Sequence, residues 1–314
     1  MKKFFLCFAV GLLFLIASCG ESSTTNDKPD TSDSGETVTD EDKVDTDTTD
    51  SGSGDTEQGE TEEEKCKKME GIWQDGKCTR TVNCSSNKPE HTVWNGESSI
   101  TQTYNFADWS WSPYVSTYSK YSEEAGTCHF KCEEDYSWTG SQCLPVCSAS
   151  TTTFPCHDPE TGYIWSEKSP EEMAWQDTDE SGYIDSYPAS SYCEGLNASS
   201  YGGFNDWHLP SITELRTLIQ NCSGTVPDGS CRVALTCSTT TCWSEASCSC
   251  SDDADDPGKY SKFGDTDKFG DTDKFWSALI TGTTGQAWYV DFSSGSVNYY
   301  FSTYYTEYNF RCVR

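Results

Sequence analysis

The chain has 314 residues, more than the roughly 100 to 200 of a typical domain, so one large or two smaller domains fit its length. Its 51 Asp and Glu against 21 Lys and Arg leave a formal charge of −30, which excludes capture of a phosphate backbone by bulk charge; nucleic acid is not an expected partner. Eighteen Cys with 17 Tyr, 14 Phe and 11 Trp are too many thiols for a reducing cytosol and too many rings for a wholly disordered chain.

Lys2 and Lys3 precede an apolar run of 14 residues, Phe4 to Ala17, that ends in Ile16-Ala17-Ser18-Cys19. A membrane-spanning helix needs about 20 apolar residues. Residues 1–18 therefore read as a secretory signal peptide, discarded with Cys7 on maturation. The small residues before Cys19 suit cleavage there, and the segment resembles the signals of bacterial lipoproteins. That resemblance implies lipidation at Cys19, and Gly20 in place of Asp implies sorting to the outer membrane, with the lipid as the membrane contact. From 19 to 65 the chain reads as a disordered acidic stalk. Residues 20–65 hold 17 acidic side chains and three Lys, with Val38 and Val44 the only aliphatics and no aromatic. Such a segment repels itself and builds no core; a cation-binding tail is the alternative use.

The sixteen Cys between 66 and 312 form an even set, read as a framework of up to eight disulfides whose pairing stays open. Zinc on Cys128 and Cys132, or on Cys248 and Cys250, is the competing use of the thiols. Residues 66–147 form a small cysteine-rich β module. Ile72-Trp73-Gln74-Asp75-Gly76-Lys77-Cys78 is echoed by Tyr136-Ser137-Trp138-Thr139-Gly140-Ser141-Gln142-Cys143, and Thr101-Gln102-Thr103-Tyr104 alternates as a strand does. Trp109 and Trp111 are candidates to stack on sugar rings or to pack around disulfides.

Residues 148–314 form the second module. Ser211-Ile212-Thr213-Glu214 is a capping box, and Ile212, Leu215, Leu218 and Ile219 predict one buried helix face until Asn221 to Gly224 stop it. Trp288, Val290 and Phe292 alternate as in a half-buried strand. Together with Gly203-Phe204-Asn205-Asp206-Trp207-His208-Leu209-Pro210, Trp276-Ser277 and the closing Arg311-Cys312-Val313-Arg314, these residues resemble the Lcl C-terminal domain family over about 161 to 314. The resemblance implies an α+β, C-type-lectin-like fold and a role in surface adhesion. His208 stands where the family usually has Arg, and Asp177 to Pro188 looks inserted. Neither Glu-Pro-Asn nor Trp-Asn-Asp occurs, so the calcium-bridged sugar site of animal lectins does not carry over. Lys262 to Asp267 repeats at once as Lys268 to Asp273, a tandem duplication that lengthens a loop.

Calcium is the one cofactor the sequence raises. Asp177, Asp179, Ser181, Tyr183 (through its carbonyl) and Asp185 follow the first nine positions of an EF-hand-type loop, with Gly182 at the bend; the twelfth position is Pro188 rather than Glu. An uncoordinated acidic turn is the alternative. Candidate ligand-binding residues are Tyr289, Tyr299, Tyr300, Phe301, Tyr304, Tyr305 and Tyr308, set among Ser, Thr, Gly and Asn as in a paratope. The stretch also resembles the variable regions of diversity-generating retroelement receptors. Ordinary strand packing is the competing account. No His-Glu-x-x-His or Gly-x-Ser-x-Gly motif occurs and only four His are present, so His208 reads as a structural contact. The expected protein is a lipid-anchored, cell-surface binder of an extracellular glycan or protein, without catalysis; an assembly protein of the envelope is the alternative.

Overall fold

The computed structural model describes residues 59–114, 116–178, 184–250, 258–264, 273–282, 285–302 and 306–314, with only the backbone described at 177–178 and 184–186. Cys19 and the stalk as far as Gln58 lie outside the described residues.

The predicted stalk yields to a helix before Lys65. α1 (Glu62–Lys68) starts at a capping box: the Glu64 amide donates to Thr61 Oγ1 (3.3 Å) and the Thr61 amide to Glu64 Oε2 (2.9 Å). Three Glu fill its first turn and three Lys its last, each sign at the favourable end of the helix dipole. Composition read this segment as tether because it weighs charge without position. Cys66 is the buried residue of α1 and is bonded to Cys78.

Short strands follow. β1 (Ile72–Gln74), β2 (Lys77–Asn83), β4 (Ser99–Asn105) and β5 (Ser110–Ser112) form an antiparallel sheet in the order β1-β2-β4-β5, while β3 (Thr92–Trp94), β6 (Lys120–Tyr121) and β7 (His129–Cys132) form a second in the order β3-β7-β6. The β1–β2 turn has Asp75 and Gly76 at positive φ (51° and 73°), as a two-residue turn matched to the twist of its strands requires. In β4, Ile100, Gln102 and Tyr104 are buried between exposed Thr101, Thr103 and Asn105. The sequence echo is also structural. Trp73 lies opposite Cys78, and Trp138 opposite Cys143 in the hairpin of β8 (Tyr136–Trp138) and β9 (Cys143–Pro145).

All sixteen cysteines pair: 66–78, 84–128, 132–143, 147–156, 193–312, 222–250, 231–248 and 237–242. The zinc reading falls, since Cys128, Cys132, Cys248 and Cys250 each have a separate disulfide partner. The Cys147–Cys156 bridge spans the boundary expected after Cys147. Eight such bonds belong to an oxidising, extracytoplasmic setting. Among the described residues no helix is long and apolar enough to cross a membrane.

The C-terminal region is mixed α+β with more strand than helix. β10 (Cys156–His157) pairs with β11 (Ile164–Trp165), β12 (Met173–Ala174) with β18 (Glu307–Tyr308), and β13 (Asp177–Thr178) with β14 (Ile184–Ser186). α2 (Pro188–Ala198) opens on Pro188, whose fixed φ suits a first helical position, and carries Cys193 to Cys312. α3 (Ile212–Arg216) has the expected capping box but is five residues long. The chain then tightens into shorter-range amide bonds from Thr217, Leu218 and Ile219, which keeps the four predicted apolar residues buried. The closing segment is interior: the Ile164 and Ser166 amides donate to Arg314 O (3.0 Å) and Cys312 O (2.9 Å), while His208 and Val313 exchange amide bonds of 2.9 Å.

The main sheet runs β15 (Lys274–Ile280), β16 (Gln286–Asp291), β17 (Ser296–Phe301), all antiparallel. The strand expected to be half-buried is covered on both sides. Trp288, Val290 and Phe292 enter one core with Leu215, Leu218, Phe275 and Val297, while Ala287 and Tyr289 enter another with Trp207, Trp276 and Phe310. Alternation sorts the residues between two cores rather than between core and water. Phe263, in the first copy of the duplication, and Phe275, just after the second, are both buried; residues 265–272 lie outside the described residues.

Candidate ligand-binding face

The expected Tyr-rich surface divides into packed and presented rings. Tyr289 is 7% exposed. It meets Trp276 edge-on at 5.9 Å and Tyr308 at 4.9 Å, and Trp276 lies 4.4 Å from Tyr308. Hydrogen bonds fix this layer: Trp276 Nε1 donates to Met173 O (3.2 Å) and Trp175 Nε1 to Ser277 O (2.7 Å). Burial pushes the Tyr289 and Tyr308 hydroxyls above the ordinary tyrosine range. On the opposite side Tyr299 packs edge-on against Trp288 (5.1 Å) and Trp243 (5.9 Å). Those indoles are pinned in turn, Trp243 Nε1 to Val297 O (2.7 Å) and Trp288 Nε1 to Ser238 O (2.8 Å). Three of the seven predicted contact residues, Tyr289, Tyr299 and Tyr308, therefore serve packing, with their rings set against the indoles of Trp276, Trp288 and Trp243.

Tyr300 and Phe301 differ. At 50% and 57% exposed they extend past both cores at the end of β17, with ring centroids 5.7 Å apart. Register places Ala287 opposite both Ile280 and Tyr300, and Ile280, 51% exposed, joins the face though composition gave no sign of it. Asn298 is half-buried two residues before Tyr300 on the same strand face. Tyr304 and Tyr305 lie outside the described residues.

Asp179, Ser181 and Tyr183 of the calcium loop also lie outside the described residues; the backbones of Asp177 and Asp185 belong to paired β13 and β14. Among the described residues no cluster of three or more His, Cys, Asp or Glu is placed to hold a metal ion. His208 Nε2 sits 3.2 Å from Glu214 Oε1, and this hydrogen bond, against the opposing effect of burial, raises the imidazole above its usual range. Arg314 grips Asp206 with two bonds (2.6 and 3.1 Å) over the Phe204 ring. Ser137 Oγ and His157 Nδ1 are 2.8 Å apart, but the Asp158 carboxylate is directed to Thr161 (2.9 Å) and Lys262 (2.9 Å). In the first module Trp111 packs edge-on against Tyr104 (5.1 Å), while Trp109 is 68% exposed.

These positions hold the residues on which the family resemblance rests: Trp207 and Trp276 in one core, Trp288 in the other, and Cys312 bonded to Cys193. Residues 155–314 match the family model of the Lcl C-terminal domain. The chain belongs to that family. No curated protein and no solved structure was found to match it. The Lcl domain thus begins inside the Cys147–Cys156 loop, and all seven predicted Tyr and Phe residues fall within it.

Proposed function

We propose that the protein is a lipid-anchored outer-membrane receptor or adhesin, attached through Cys19 and an acidic stalk, whose Lcl domain binds an extracellular glycan or protein and does not catalyse. The observation that carries the reading is the exposure of Tyr300, Phe301 and Ile280 together at one end of a sheet whose other large apolar side chains are buried or partly buried in the cores. Rigid rings presented on a fixed strand bind at low cost in conformational entropy. The C-type-lectin-like assignment draws support from the residues of α2 and α3 packed in the two cores of the sheet and from the closing residues 312–314 lying alongside β11 near the start of the domain. Diversification of this stretch is part of the proposal; among its described residues Asn298, Tyr299, Tyr300 and Phe301 reach solvent to some extent, whereas Ser296 and Ser302 are buried. Calcium at the Asp177–Asp185 loop belongs to the same reading, and titration calorimetry of the folded ectodomain with no calcium heat removes it.

Glycan and protein arrays probed with the ectodomain test the function. A ligand retained by the wild type and lost with Tyr300→Ala supports the receptor. Self-association in sedimentation velocity without any array ligand favours envelope assembly instead.

A further inference from the structure

The cysteine-rich module carries a groove of about 670 Å³ that is separate from the Lcl face. Its floor is set by strand register. Arg80 of β2 lies opposite Gln102 of β4, Arg80 Nε donates to Gln102 Oε1 (2.9 Å), and Gln102 Nε2 donates to Pro113 O (3.0 Å). Gln102 is 6% exposed, so the guanidinium is held by a buried amide that is bonded at both its oxygen and its nitrogen. The Arg80 guanidinium also lies 4.2 Å from the Trp111 ring centroid, the stacked arrangement that leaves the outer edge of the fork free for hydrogen bonds.

The walls are tyrosines with no packing role. Tyr114 is 94% exposed and Tyr118 80% exposed. The backbone on either side of Tyr118 is tied down: the Ser85 amide donates to Thr117 O (2.7 Å), the Ser119 amide to Ser85 Oγ (3.1 Å) and Ser119 Oγ to Asn87 O (3.2 Å). Cys84, next to Ser85, is bonded to Cys128. Tyr118 therefore stands in water on an anchored backbone, and Tyr114 follows Pro113, whose carbonyl accepts from Gln102, so both rings lie beside a fixed guanidinium. Charge narrows the ligand further. In a chain of −30, the groove is lined by one charged residue, Arg80, and by no carboxylate. The volume falls within the roughly 300–1,000 Å³ of small-ligand sites.

We infer that this groove binds a saccharide bearing a single carboxylate, with the acid on the Arg80 fork and adjoining sugar faces on Tyr114 and Tyr118. A carboxylate matches the two parallel donors of a guanidinium, and the C–H face of a pyranose matches an amphipathic ring. One cation serves one acid. A polyanion is disfavoured by the field of the whole chain.

Calorimetry on the disulfide-intact ectodomain tests this with trisaccharides carrying one glucuronate, galacturonate or sialate, each also as its neutral methyl ester. The expected result is binding of at least one acid form, about tenfold or more tighter than its ester. Arg80→Gln abolishes that preference, and Tyr114→Ala with Tyr118→Ala weakens acid and ester alike. Both tyrosines are exposed, so circular dichroism stays unchanged. Tyr300→Ala with Phe301→Ala leaves the binding intact, which separates this site from the Lcl face. No binding by any of the three acids overturns the inference, as does equal binding of acid and ester. Binding only of an acidic peptide overturns the saccharide assignment.

Discussion

The two halves of the described chain solve the same problem with different means. In the cysteine-rich module the buried clusters are small, one of Cys66, Cys78 and Tyr104 and the other of Cys84, Ile100 and Cys128; half of the residues buried there are disulfide cysteines. The Lcl domain instead buries Trp165, Trp276, Trp288, Phe263, Phe275, Phe292 and Phe310 at under 2% exposure. Bridges substitute for a core where short strands cannot build one. The rings differ accordingly: the bridged module leaves Trp109, Tyr114 and Tyr118 in solvent, whereas among the described residues of the packed domain the exposed rings are Tyr187, at the start of α2, and Tyr300 and Phe301, where the sheet outruns its cores.

The contrast breaks most directly at Trp288. Trp288→Ala opens a cavity in the larger core and is expected to cost about 3–5 kcal/mol, read by urea denaturation of the ectodomain; a cost under about 1 kcal/mol removes the claim that packing holds this domain. Next in size, replacing Cys66 and Cys78 together by Ala releases a short loop and costs about 3 kcal/mol, with the loss confined to the first module by hydrogen exchange. Equal loss of protection across the Lcl domain contradicts the division.

The His208–Glu214 contact gives a smaller, pH-dependent effect. Because the folded His208 pKa is raised, its contribution is complete below the unfolded value near 6.5 and fades as pH rises through the folded value. With His208 half-exposed, His208→Ala should cost under about 1 kcal/mol at pH 5.5 and less at pH 8.5. Urea midpoints at the two pH values decide it, and a greater loss at the higher pH reverses the assignment. Smallest is Tyr300→Ala, expected within about 0.5 kcal/mol of wild type.

How far the sequence carried this picture depended on whether its signals were positional. The capping box at Ser211, the apolar residues from Ile212 to Ile219 and the even cysteine set depend on spacing, and all are present in the structure. Signals of composition fared worse. The acidic run hid α1 because Thr61 and Glu64 act by position, not by abundance. Tyrosine density marked a stretch of the Lcl domain but could not sort Tyr289 and Tyr299, which face the cores, from Tyr300 and Phe301, which clear them. The sorting depends on strand length relative to core depth, and that is a tertiary quantity. The Arg80 groove was out of reach for the same reason, since Arg80, Gln102, Tyr114 and Tyr118 meet only through strand register and the tie of Ser119 to Ser85.

The central claim is that the end of β17 presents and the rest of the sheet supports. The double variant Tyr300→Ala with Phe301→Ala, compared with wild type for melting temperature and for capture of ligands on glycan and protein arrays, tests it most directly. The account predicts an unchanged melting temperature and loss of the captured ligand. Retention of that ligand by a fully folded double variant, or unfolding of the variant, would contradict it.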